Sequence, residues 1–171
     1  MLKIHGNKLS TEGIQFALPE NFYIDIEGME TVTSNGIRFL SVPEDCYINF
    51  MTSVRRCNSS KESINQNFCE SNINNVNCCR IIDGPCDYEH NGLTGTWVKY
   101  EVNSTYYCEI HLNKIPGYDE QAEVLIAVNK SETNLLTPIK TSAVNKSETN
   151  LDRTLDRPEV KGFLNSFMLS K

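Results

Sequence analysis

Ala122-Glu123-Val124-Leu125-Ile126-Ala127-Val128, AEVLIAV, carries apolar residues on both parities of an extended chain. A strand with one wet face alternates polar and apolar side chains, so a run that does not alternate belongs in the middle of a sheet, covered on both sides. A sheet with such a strand at its centre needs partners, and the sequence upstream supplies them. Thr105–Leu112, TYYCEIHL, places Tyr106, Cys108, Ile110 and Leu112 on one face and Tyr107, Glu109 and His111 on the other. Asn103-Ser104 separates it from GTWVKYEV, where Val98, Tyr100 and Val102 oppose Trp97, Lys99 and Glu101, which predicts a hairpin.

Earlier segments repeat the pattern. CCRII, beginning at Cys78, reads as strand, and CYINFMTSV sets Cys46, Ile48 and Phe50 on one face. Asn35-Gly36 is a turn signal leading into IRFLSV. GIQFAL (13–18) stops at Pro19, and FYIDI follows with Phe22, Ile24 and Ile26 opposite Tyr23 and Asp25. The first third therefore predicts an antiparallel meander. Two helices are predicted. Ser59 stands three residues before Glu62 in a capping-box spacing, ahead of Ile64, Phe68 and Cys69. Asp156, Pro158 and Glu159 open a second, in which Val160, Phe163, Leu164, Phe167 and Met168 share one face.

The chain has 171 residues, of which 39% are hydrophobic and 22% charged, proportions that suit one globular domain with a core. A single domain is expected to span residues 1–171, with a duplicated polar loop at about 129–155. Sixteen Lys and Arg against 22 Asp and Glu give a net charge of −6. That balance repels phosphate backbones, and apart from Arg55-Arg56 no basic cluster occurs, so no nucleic acid partner is expected. MLKIHGNKLSTEG lacks the apolar core of a secretory leader and no 18-residue apolar run exists, so no membrane insertion is expected. These features predict a cytoplasmic protein, with the cell envelope or secretion as the alternative if a leader was removed. In a reducing compartment the seven cysteines (46, 57, 69, 78, 79, 86 and 108) stay largely as free, buried thiols. The Asn-x-Ser/Thr matches at Asn58, Asn103, Asn129 and Asn145 are chance products of an Asn-rich chain.

Phe16-Ala17-Leu18-Pro19 with Phe22, and Phe163-Leu164-Asn165-Ser166-Phe167 near the end, give the chain a family likeness. It resembles the PsbP-like superfamily, which includes the photosystem II extrinsic P protein, Mog-one-like Ran-binding proteins and many uncharacterised bacterial domains. The resemblance implies an α+β fold, an α/β/α sandwich around a central, mostly antiparallel sheet with a C-terminal amphipathic helix. It also implies a binding or assembly factor with no shared catalytic residues. Bacterial relatives are often lipoproteins, but this chain has no lipobox.

The motifs that could carry chemistry each have a plainer explanation. Cys86-x3-His90 and Cys108-x2-His111 approach zinc spacing, yet strand parity sends Cys108 and His111 to opposite faces. Cys78-Cys79 has no C-x-x-C geometry and reads as chance adjacency. His5 is placed in a frayed N-terminus and His90, beside Asn91-Gly92, in a turn. Glu44-Asp45 and Asp119-Glu120 read as solvated loop charges. No phosphate-binding loop is present. No catalytic residue, metal ligand or cofactor is therefore assigned. The function expected is a non-catalytic binding or interaction domain, its partner an unspecified protein or small ligand and its oligomeric state open. The alternatives are a small thiol-dependent enzyme and an envelope or secreted accessory domain. The nine residues AVNKSETNL occur twice, at 127–135 and 143–151. The first copy starts in the central strand and the second leads to the last helix, so a tandem duplication into a surface loop accounts for both.

Overall fold

The computed structural model describes residues 2–11, 13–25, 36–42, 44–53, 79–118, 121–129 and 150–170. Its strands are β1 (Lys3–His5), β2 (Lys8–Ser10), β3 (Ile14–Ala17), β4 (Phe22–Ile24), β5 (Gly36–Ser41), β6 (Cys46–Ser53), β7 (Cys79–His90), β8 (Leu93–Val102), β9 (Thr105–Leu112), β10 (Gln121–Asn129) and β11 (Met168–Leu169). The helices are α1 (Asn150–Leu155) and α2 (Pro158–Asn165). Seven strands form one sheet in the order β4-β5-β6-β10-β9-β8-β7, and four form a second in the order β1-β2-β3-β11.

β10, the strand containing AEVLIAV, is the middle strand of seven and is paired antiparallel to β6 and β9. Val124, Ile126 and Val128 enter the main core from its first face, while Ala127 on the second is 1% exposed. The meander β4-β5-β6 is present, with Ile37, Phe39, Cys46, Ile48 and Phe50 all buried. So is the β8-β9 hairpin, whose turn residue Asn103 takes φ of 53°. Asn91 and Gly92 both have positive φ in the β7-β8 connection, the backbone a two-residue hairpin turn prefers.

The α/β/α sandwich is not what the described residues form. Strand outweighs helix by 61% to 13%, in two antiparallel sheets with two short helices. The physical reason lies at the N-terminus. GIQFAL was expected to join the meander, but β3 belongs to the small sheet, between β2 and β11. This sheet places Leu9, Ile14 and Phe16 in the same core cluster as the first face of the large sheet and shares that layer with α1 and α2. The core is thus closed by a strand layer together with two short helices where a helical layer was expected. His5, expected to fray, is in β1 and paired with Lys8. The predicted Ser59–Glu62 helix and its Ile64, Phe68 and Cys69 lie outside the described residues.

The C-terminal helix is shorter than its apolar stripe suggests. Pro158 opens α2 at a position where its missing N–H costs nothing, and Ser166 ends it, its N–H reaching Gly162 O at 3.1 Å. Phe167 is buried beyond the helix, and Met168, expected on the stripe, pairs with Gln15 and is 38% exposed. The Ala17 N–H donates to Ser166 Oγ at 2.9 Å, which fixes this crossing. Asp45, read as a solvated charge, instead accepts from both terminal nitrogens of Arg157 and joins the β5–β6 turn to the α1–α2 junction. Its carboxyl is held below the usual range, first by that hydrogen bond. No described helix is long and apolar enough to cross a membrane.

The rings of Phe16, Phe39 and Phe167 surround Phe163 at 5.4, 6.1 and 5.1 Å, so truncating it opens a cavity that several elements line. Phe163→Ala is expected to lose about 3–5 kcal/mol, while Lys161→Ala, on the exposed side of α2, stays within about 0.5 kcal/mol; chemical denaturation measures both.

The repeat can be tested too. Val128, Asn129 and Asn150 line one small cavity, so the two ends of the segment 130–149 lie close together. Leu151, closing the second copy, is 0% exposed, so that copy ends in the core and not on the surface. Deleting residues 129–144 keeps Val128, Asn150 and Leu151 and leaves one AVNKSETNL. The variant is expected to fold within about 1 kcal/mol of the parent, since closure entropy varies slowly with loop length; a thermal melt with loss of cooperativity would contradict this.

Candidate functional site

The second face of the large sheet, opposite the main core, collects the polar residues of alternate positions. Register arranges them in rows. Tyr47, Ala127, Tyr107 and Tyr100 are successive partners across β6, β10, β9 and β8. The next row is Asn49, Leu125, Glu109 and Val98, and the third is Met51, Glu123, His111 and Thr96. Strand alternation puts Glu109 and His111 two residues apart on one face, and antiparallel pairing sets Glu123 directly opposite His111.

The three acid and imidazole groups converge. His111 Nε2 lies 2.8 Å from Glu109 Oε2, and His111 Nδ1 lies 3.9 Å from Glu123 Oε2. Tyr100 donates its hydroxyl hydrogen to Glu109 Oε1. Side chains of Glu109 and His111 are only 17% and 20% exposed, so these interactions act with reduced solvent screening. Burial pulls the His111 pKa down, but the hydrogen bond with Glu109 and the charges of Glu123 and Glu109 outweigh it and hold the imidazolium above its ordinary value. Glu123 is pushed up, chiefly by burial, with His111 opposing.

The tyrosine row flanks this cluster. Tyr100 and Tyr107 stack at 5.0 Å, and the Arg38 guanidinium sits 4.5 Å over Tyr47. Burial, followed by Tyr107, pushes the Tyr47 phenol up to about 12. Gly95 lets β8 approach closely here, because a Cβ at that position would fall 2.0 Å from the His111 carbonyl oxygen.

The structure separates the residue pairs that zinc spacing suggested. Cys108 is buried in the main core while His111 is on the second face, as parity predicts. Cys86 and His90 sit four residues apart along β7, about 13 Å at strand rise, too far to share an ion. His90 ends β7 and is not in the turn; its Nε2 lies 2.9 Å from Asn165 O. Cys46, Cys86 and Cys108 carry free thiols, and burial raises those of Cys46 and Cys108 to about 12. Cys57, Cys69 and Cys78, the side chain of Cys79, Arg55-Arg56 and Asp119-Glu120 lie outside the described residues.

Among the described residues, Glu109, His111 and Glu123 are the group able to hold a metal ion, one ligand atom from each lying within 4.8 Å of the others. Sequence reasoning missed this set. Parity joined Glu109 to His111, but Glu123 comes from another strand, and only the register brings it opposite. No protein-family model and no curated protein matches the chain.

The electrostatics set a pH response. Protonated His111 stabilises the fold, so its contribution is complete below about pH 6.5, the unfolded value, and is lost as pH rises through the higher folded value. Glu123, also raised, acts in the same direction at lower pH, since ionising it in the fold is unfavourable. In a chelating buffer, Glu109→Gln is expected to lower the His111 pKa and flatten the stability loss above pH 6.5. Histidine titration by NMR checks the first effect and denaturation across pH the second; an unmoved His111 pKa would contradict both.

Proposed function

We propose that the protein is a non-catalytic binding domain that holds a cationic group at Glu109, His111 and Glu123. The observation that carries this is the convergence of two carboxylates and an imidazole, half-buried on a rigid antiparallel face and flanked by a row of tyrosines. Burial strengthens the attraction of the two carboxylates for a positive ligand, which displaces the His111 proton as it binds, and strand pairing fixes the backbone geometry before binding.

The alternative of a thiol-dependent enzyme has less support. A nucleophilic cysteine needs its thiolate form, whereas the Cys46 and Cys108 thiols are raised to about 12 and lie on the core side of the sheet. His111 is engaged with carboxylates and His90 with a backbone carbonyl.

Affinity capture from the native host tests the face. Wild type and Ile4→Ser, altered at an exposed residue of the small sheet, are expected to retain the same bound species, while Glu109→Gln/Glu123→Gln loses it. Retention by the double variant would place binding elsewhere.

A further inference from the structure

We infer that Glu109, His111 and Glu123 form a binding site for a divalent transition-metal ion of the zinc type. This rests on the binding reading of the second face and names the ligand. The donors come from fixed places: positions 109 and 111 of one strand and the register partner of His111 on the next. Bonds of about 2.0–2.2 Å to a shared ion put its ligand atoms about 3.3–4.2 Å apart. His111 Nδ1 and Glu123 Oε2 are separated by 3.9 Å, too long for a hydrogen bond and within that range. All three ligand atoms lie within 4.8 Å of one another; because Glu109 faces Nε2 and Glu123 faces Nδ1, closure onto an ion at one ring nitrogen requires the imidazole to turn and the other carboxylate to follow it.

The donor chemistry selects the class of ion. Imidazole beside two carboxylates suits zinc, cobalt, nickel, manganese and iron, whereas calcium and magnesium prefer all-oxygen sets. Three protein ligands leave a coordination position for water or for a partner's own donor group. Outer support is in place as well. Tyr100 binds Glu109 Oε1 and turns Oε2 toward the imidazole, the kind of contact that orients a ligating carboxylate. Met51 is the strand partner of Glu123 on the other side, and Thr96, 4% exposed, is the partner of His111. The main core is complete without the ion, so the metal would load onto a folded sheet.

Calorimetric titration of reduced, chelator-stripped protein with zinc chloride tests the inference, with cobalt(II) absorption as a second measurement. One ion per chain is expected for wild type and for Glu89→Gln, an exposed control on β7, and none of comparable affinity for His111→Gln or Glu123→Gln. Tyr100→Phe is expected to weaken binding about 10-fold. Cobalt should give a spectrum without the thiolate charge-transfer band, because none of the described cysteines is in the site. Circular dichroism shows whether each variant folds. If a ligand variant does not, the cobalt spectrum of wild type and the Tyr100→Phe titration still decide. Absence of stoichiometric uptake by wild type, unchanged uptake by folded ligand variants, or a thiolate band would overturn the site. If wild type binds no zinc yet capture still depends on Glu109 and Glu123, the metal is wrong and the binding face stands. If zinc binds as stated but the captured species is indifferent to those residues, the metal site stands and the partner surface does not.

Discussion

Phe16 is where the layers meet. Its ring stacks on Phe167 at 4.6 Å, tilts against Phe50 at 4.7 Å and meets Phe163 edge-on at 5.4 Å. Those partners belong to the C-terminal crossing, the large sheet and α2, while Phe16 itself is in the small sheet. Four segments therefore satisfy their apolar faces at one point. Aromatic pairs add about 0.5–1.5 kcal/mol each beyond the area they bury, so the cluster contributes both stability and a unique relative placement.

On the second face of the large sheet, polar groups sit beside a smaller apolar cluster of Val98 and Tyr100. With the main core on one side, alternate residues of β6, β8, β9 and β10 lie on the face opposite the core that α1, α2 and the small sheet close. Tyrosine, asparagine, glutamate and histidine can occupy them at low cost because each finds a neighbour across the pairing. The smallness of Gly95 matters for the same reason. It lets β8 sit against the His111 backbone, so the β8–β9 pairing that sets the register of this face can form.

Much of this was legible because alternation is a local property. AEVLIAV announced its central place, and TYYCEIHL announced that Cys108 and His111 face apart. Alternation does not encode which strand lies alongside, nor in what register. That is why Glu123 went unnoticed opposite His111 and why β3 was assigned to the wrong sheet. The β1-β2 hairpin is only three residues on each side, with Gly6 supplying the turn at φ of 60°, too short for periodicity to register. Asp45 looked solvated because its partner, Arg157, is 112 residues away. The apolar stripe at the C-terminus marked the buried residues Val160, Phe163 and Phe167 correctly. Its helical spacing continued past Ser166 because a turn can bury the same side chains that another helical turn would.

The pairing of β11 with β3 has a consequence for how the protein is made. The Ala17 N–H and the Ser166 hydroxyl that accepts from it are 149 residues apart, and Phe16 waits on Phe163 and Phe167 over the same span. On a ribosome adding about 5–20 residues per second, the N-terminal hairpin emerges on the order of ten seconds before the segment that covers it. Phe16 spends that interval without Phe163 and Phe167, and Ile14 without its β11 partner Leu169. The β3–β11 pairing and the Phe16 stack therefore cannot form until residues 163–169 have left the ribosome, and until then the small sheet lacks its β11 edge.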